Sequence, residues 1–173
     1  MKYLLFVAFL APIPIANWLI GNIGTECIPN GPCLIPVGFG LMAPSGVLMI
    51  GAALVLRDAV QQLLGMRWAI AAIICGVVLS ALVAPPALVL ASAVAFALAE
   101  TLDLAVYTPL RNRNLPLAVL ASGAVGAVVD SAAFLLIAFG SLNYIEGQIV
   151  GKLWMTLAAA VALWAWKKRE AYA

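Results

Sequence analysis

Histidine is absent from the 173 residues. That removes the commonest general base and metal ligand, and with it Ser-His and Cys-His nucleophile chemistry and His-ligated zinc. Charge is scarce as well: Asp, Glu, Lys and Arg make up 9% of the chain, and the net charge of +2 says little about partners. No dense acidic metal motif stands in for the missing histidines, so no metal, no cofactor and no enzymatic activity are expected. No nucleic-acid partner is expected either. Cysteine occurs three times. Cys75 lies within an apolar run and reads as a small packing residue. Cys27 and Cys33 flank a turn-rich loop, CIPNGPC. They are a candidate disulfide if that loop faces an oxidising compartment, and otherwise two reduced thiols.

What the chain has in excess is apolar sequence. It is 66% hydrophobic, with a mean hydropathy of +1.14. No soluble domain of this size needs so much, so the expected class is an all-α integral membrane protein. Six spans can be read as one domain over residues 1–173, at 3–20, 41–64, 67–83, 87–107, 117–139 and 145–166. The first resembles a signal peptide after Lys2, but it runs on past Pro12 and Pro14 to Trp18. A retained helix, bent at the prolines, is expected. The stretch LIPVGFGLMAPSG before the second span is too apolar for an ordinary loop and is a candidate re-entrant segment.

The basic residues orient these spans. With the N-terminus in the cytoplasm, eight of the nine Lys and Arg fall on that side: Lys2, Arg57, Arg67, Arg111, Arg113, Lys167, Lys168 and Arg169. The far-side loops carry none, which predicts an N-in, C-in multi-pass protein of the cytoplasmic (inner) cell membrane. The ninth, Lys152, lies inside the sixth span.

Charged residues within a bilayer are costly and tend to mark a pathway or a binding site. In the fourth span Phe96, Glu100, Asp103 and Tyr107 share one helical face, at i, i+4, i+7 and i+11. That face should look into the bundle, unless Asp103 hydrates at the interface or Arg111 and Arg113 neutralise the acids. Asp130 and Lys152 lie at roughly 15 Å and 10 Å from the same outer side at 1.5 Å per residue, close enough in depth to pair. Such a pair can bind a ligand or simply lock two helices together. Gln148, Lys152 and Thr156 align along one face of the sixth span, and Gly147 and Gly151 give it a small-xxx-small spacing. Asp58, beside Arg57 near a helix end, can equally hydrate at the interface. Trp18 and Trp154 read as interfacial anchors or as stacking faces.

Four segments carry a family resemblance: VGFGLMAPSGVLMIGAALVLRDAVQQLLG (37–65), ETLDLAVYTPLRNR (100–113), VGAVVDSAAFLLIAFGSL (125–142) and GQIVGKLWMT (147–156). Together they resemble the VUT family of small membrane transporters, also known as queuosine precursor transporters. ANWLIGNIG (16–24), with Asn17, resembles that family's first helix, and the chain's length is similar to that of its short actinobacterial and phage-type members. The resemblance implies a six-helix carrier importing 7-deazaguanine bases such as preQ0 and preQ1, with Asn17, Asp58, Glu100, Asp103, Asp130 and Lys152 as candidate site residues.

A guanine-like edge presents two adjacent N–H donors, which one carboxylate can accept in a bidentate pair. Glu100 is the first candidate for that acceptor and Asp130 the second. Lys152, Asn17 or Gln148 can donate to the base's carbonyl, and Phe96, Trp18 or Phe134 can supply a stacking face. The alternative is a substrate-binding membrane subunit of an ATP-driven importer, which would need an ATPase module as partner. Lipid surrounds either form, and the small-residue helix faces make a homodimer a candidate assembly.

Overall fold

The computed structural model describes residues 2–29, 31–84 and 86–170. Seven α-helices and a three-stranded sheet make up the described chain. The N-terminal apolar run is two helices in series, α1 (Lys2–Leu10) and α2 (Pro12–Asn22), which break at Ala11. Pro12 and Pro14 lack the N–H groups that would bond back to residues 8 and 10, so the bend falls where the prolines predict it. Together they form one apolar span, Leu4–Asn22.

The turn-rich region after α2 is a sheet. Strands β1 (Glu26–Cys27), β2 (Cys33–Gly38) and β3 (Leu41–Pro44) pair antiparallel in that order. Cys27 and Cys33 face each other across β1 and β2 and are joined by a disulfide. The chain reverses between β2 and β3 through Gly38, Phe39 and Gly40, all three at positive φ, where glycine is the natural occupant. The stretch singled out as a candidate re-entrant segment is therefore this hairpin. Its backbone groups are satisfied by strand pairing, the same demand a re-entrant loop must meet.

Helices α3 (Val47–Leu64), α4 (Met66–Val83), α5 (Val89–Leu110), α6 (Leu115–Phe139) and α7 (Ile145–Glu170) follow. A 3₁₀ turn, Pro86–Leu88, leads into α5. Among the described residues, five spans are long and apolar enough to cross a membrane: Leu4–Asn22, α3, α4, α5 and α6. The 26 residues of α7 reach about 39 Å at 1.5 Å per residue.

Two of the boundary differences have a direct cause in the sequence. Helix α3 starts at Val47 rather than residue 41, because Leu41–Pro44 is taken up in β3. Helix α5 runs through Pro109 to Leu110; a proline in the last turn removes a single bond, and the helix tolerates it there. Asn114 caps α6 by accepting from the Leu117 N–H at 3.2 Å, and Gly140 ends the helix at φ 65°, as a left-handed C-terminal residue should.

Helix α3 is the hub, packed against each of the other six helices. Missing side chains allow its closest approaches. A Cβ on Gly51 would stand 2.9 Å from the Lys152 backbone, and one on Gly151 2.8 Å from the Val47 side chain. Gly147 lies against the Met42 carbonyl with no room for a Cβ at all. The hairpin is fastened to α7 at its other end, where Trp154 Nε1 donates to the Val37 carbonyl at 2.8 Å and its ring stacks on Phe39. Ser45 Oγ donates to the Leu19 carbonyl at 2.7 Å, tying the start of α3 to α2. Cys75 faces outward from α4 rather than into the packing.

Candidate functional site

Two polar clusters lie inside the helix bundle, and a cavity opens on one of them. The first is centred on Arg57 of α3, which has no exposed surface. Its Nε donates to Glu100 Oε2 at 3.0 Å, its Nη2 to Asp103 Oδ2, and its Nη1 to Gln61 Oε1 at 3.2 Å. Nη1 also lies 3.0 Å from Asp58 Oδ1, and the guanidinium carbon sits 5.6 Å from the centre of the Tyr107 ring, a cation–π distance. Ser122 of α6 donates to Asp58 Oδ2 at 3.3 Å. Gln61 extends the network by donating to Thr108 Oγ1, and its backbone carbonyl accepts from Arg111.

The face expected on α5 is thus inward. Glu100, Asp103 and Tyr107 are each at most 1% exposed. Their main counter-ion is Arg57 of α3. Arg111 reaches only the Gln61 carbonyl, and Arg113 is exposed. Asp58 is buried too, at 2%, and not hydrated at an interface.

The second cluster joins α6 to α7. Lys152 Nζ donates to Asp130 Oδ2 at 2.6 Å, Ser131 Oγ at 2.7 Å and Gln148 Oε1 at 2.8 Å. An ammonium has three donors, so all of them are used, and the ion is 1% exposed. The partners expected from depth alone are therefore in contact. Ser131, directly after Asp130, completes the set.

The cavity lies between α2, the start of α3, α4, α5, α6 and α7. Its polar wall is Asn17, Ser80, Ser92, Asp130, Gln148 and Lys152, and its apolar wall includes Phe96 and Phe134. The centre of a water-sized sphere can move through about 60 Å³ of it, whereas one water requires only about 10–15 Å³. It has room for several waters and is more than a packing void. An external groove formed by Phe39, Leu120, Val150, Leu153, Trp154 and Leu157 is almost wholly apolar and offers nothing to orient a polar solute.

Six of the candidate residues therefore meet at the cavity: Asn17, Phe96, Asp130, Phe134, Gln148 and Lys152. Four do not. Glu100, Asp103 and Asp58 belong to the Arg57 cluster, and Trp18 is 56% exposed on the outside of α2. Glu100 lies one helical turn beyond Phe96, which lines the cavity while Glu100 does not. Sequence reasoning placed Arg57 at an interface and missed it as the centre of a network. The available signal was an excess of acids in the spans that only a buried cation could offset.

The available groups are specific in what they can do. Asp130 Oδ2 is held by Lys152, but a carboxylate has further lone pairs to accept a second donor. The Gln148 amide oxygen is held by the same lysine, leaving its nitrogen to donate. Asn17 Nδ2 is bonded to the Ile13 carbonyl at 3.0 Å, so its oxygen is the atom to offer. The wall thus presents acceptors and an amide donor beside two phenyl rings, a set suited to a flat polar ring.

Comparison with known proteins gives one match. The family model described as "Putative vitamin uptake transporter" matches residues 80–166, which include α5, α6 and the Asp130–Lys152 pair. No curated protein and no solved structure matches the chain.

Proposed function

The chain belongs to the vitamin uptake transporter family, and from that premise we propose that it imports a queuosine precursor, a 7-deazaguanine base such as preQ0 or preQ1, into the cytoplasm. The single observation that supports this reading best is the cavity wall, where a carboxylate held in place by Lys152 lies beside Phe96 and Phe134. Asp130 accepts the two adjacent N–H groups of the base edge, a charge-assisted contact selective for that geometry. Gln148 donates to the ring carbonyl, and the phenyl rings receive its faces. Lys152 orients Asp130 and does not itself reach the base, since its three donors are already engaged.

The membrane is the cytoplasmic one and the topology N-in, C-in, a reading supported by the Lys and Arg of the loops. In that orientation the disulfide-bonded sheet is external and the Arg57 cluster is toward the cytoplasm. The test is uptake of radiolabelled preQ1 and preQ0 by cells that lack their own transporter and queuosine synthesis. Accumulation on expression of this chain supports the reading. No accumulation of either base, with the protein present in the membrane, contradicts it.

A further inference from the structure

The Arg57 cluster is separate from the cavity, and its charges do not balance. Three carboxylates, those of Asp58, Glu100 and Asp103, surround one fully buried guanidinium. The other ionisable groups nearby do not close the gap. Tyr107 on α5 is neutral in its ordinary form, and Asp130 and Lys152 cancel each other. Arg67 on α4 is exposed, and Arg111 is directed to the Gln61 carbonyl. Even with Arg111 counted in full, one negative charge is left over. An uncompensated carboxylate inside a membrane bundle takes up a proton rather than stay charged.

A second observation locates that proton. One oxygen of each acid, Asp58 Oδ1, Glu100 Oε1 and Asp103 Oδ1, has no hydrogen-bond partner although it is buried. Asp58 Oδ1 still faces Arg57 Nη1 at 3.0 Å, and Asp58 Oδ2 accepts from Ser122. Asp103 Oδ2 accepts from Arg57 Nη2, and the Ser122 hydroxyl is within reach of the same carboxylate. Glu100 has the weakest support: a single bond from Arg57 Nε to Oε2, with Oε1 unpartnered and the residue 1% exposed. A hydrogen on Oε1 removes the surplus charge without breaking any bond that Glu100 makes.

We propose that Glu100 is a proton-binding site, one helical turn from the cavity, and that its proton couples uptake to the proton gradient. In each cycle one proton binds to the carboxylate from outside and leaves it to the cytoplasm, with no other bond made or broken. The coupling rests on the transport reading above; the proton site does not. Glu100 is then a coupling residue and not the group that touches the base.

Infrared spectroscopy of the purified protein in liposomes, without solute, tests the site by itself. The expected result is the carbonyl stretch of a protonated carboxylic acid at pH 7, lost in Glu100→Gln. No such band in the wild type, or an equal band in Glu100→Gln, overturns the proposal. The coupling is read with radiolabelled preQ1. An imposed inward proton gradient should concentrate it severalfold in wild-type liposomes, and Glu100→Gln should lose that accumulation while still exchanging labelled for unlabelled base. Accumulation driven by a sodium gradient instead, or indifferent to the proton gradient, overturns the coupling. If preQ1 moves in no liposome while the band behaves as expected, the transport reading has failed and the proton site stands.

Discussion

Asp130 of α6 and Lys152 of α7 meet at 2.6 Å in the cavity wall, and each makes the other tolerable inside the bundle. The pair is more than a clamp between two helices, because the same carboxylate lines the cavity. Removing either partner strands a buried charge, at a cost of roughly 3–5 kcal/mol. Asp130→Asn and Lys152→Met should each lower the melting temperature and abolish uptake. The double variant should recover most of the stability but none of the uptake. A double variant that still transports would reduce the pair to a structural role.

Arg57 cannot be exchanged for lysine without loss. Its planar fork reaches Glu100, Asp103, Asp58 and Gln61 at once, and a single ammonium lacks both the donors and the geometry. Arg57→Lys should destabilise the protein by roughly 3 kcal/mol, read as thermal unfolding in detergent. Unchanged stability would mean the acids are neutralised by something other than this side chain.

Gly76 offers a way to disturb the cavity without touching it. A Cβ there would stand 2.7 Å from the Phe96 ring and 3.2 Å from Ile13 Cδ1, and both residues line the cavity. Overpacking of this kind typically costs about 1–3 kcal/mol, part of which the ring relieves by moving into the open space. Gly76→Ala should therefore raise the half-saturation concentration roughly tenfold, equivalent to about 1.4 kcal/mol, while the maximal rate holds. A kinetic profile identical to wild type would show that Phe96 is not part of the binding wall.

The Cys27–Cys33 disulfide provides a test of orientation. Closing so short a loop is worth about 2 kcal/mol on the chain-entropy account, so Cys27→Ser/Cys33→Ser should unfold at a lower temperature. In intact cells a membrane-impermeant reductant followed by an impermeant maleimide should label the two cysteines. Labelling only after the membrane is permeabilised would place the sheet on the cytoplasmic side and reverse the topology.

How much of this was legible beforehand follows from the physics of each element. The inward face of α5 came from the 3.6-residue period, and the Asp130–Lys152 pair from similar depths on neighbouring helices. Both are local rules. The position of Arg57 is not local, since nothing near it in sequence says that α3 runs through the middle of the bundle with the other six helices around it. The same helix carries Asp58 inward, which is why an interface reading failed for both. That Phe96 lines the cavity and Glu100, one turn on, does not is a packing outcome. The hairpin was hidden by its composition: glycine and proline signalled a loop, while the three positive-φ residues at 38–40 make a strand reversal.

The most direct measurement is equilibration of radiolabelled preQ1 into liposomes containing only this purified protein, wild type against Asp130→Asn. Entry that saturates in the wild type and falls to the protein-free level in Asp130→Asn is the expected result. Entry that requires an added ATPase module, or that proceeds unchanged in Asp130→Asn, would contradict a self-sufficient carrier built around this carboxylate.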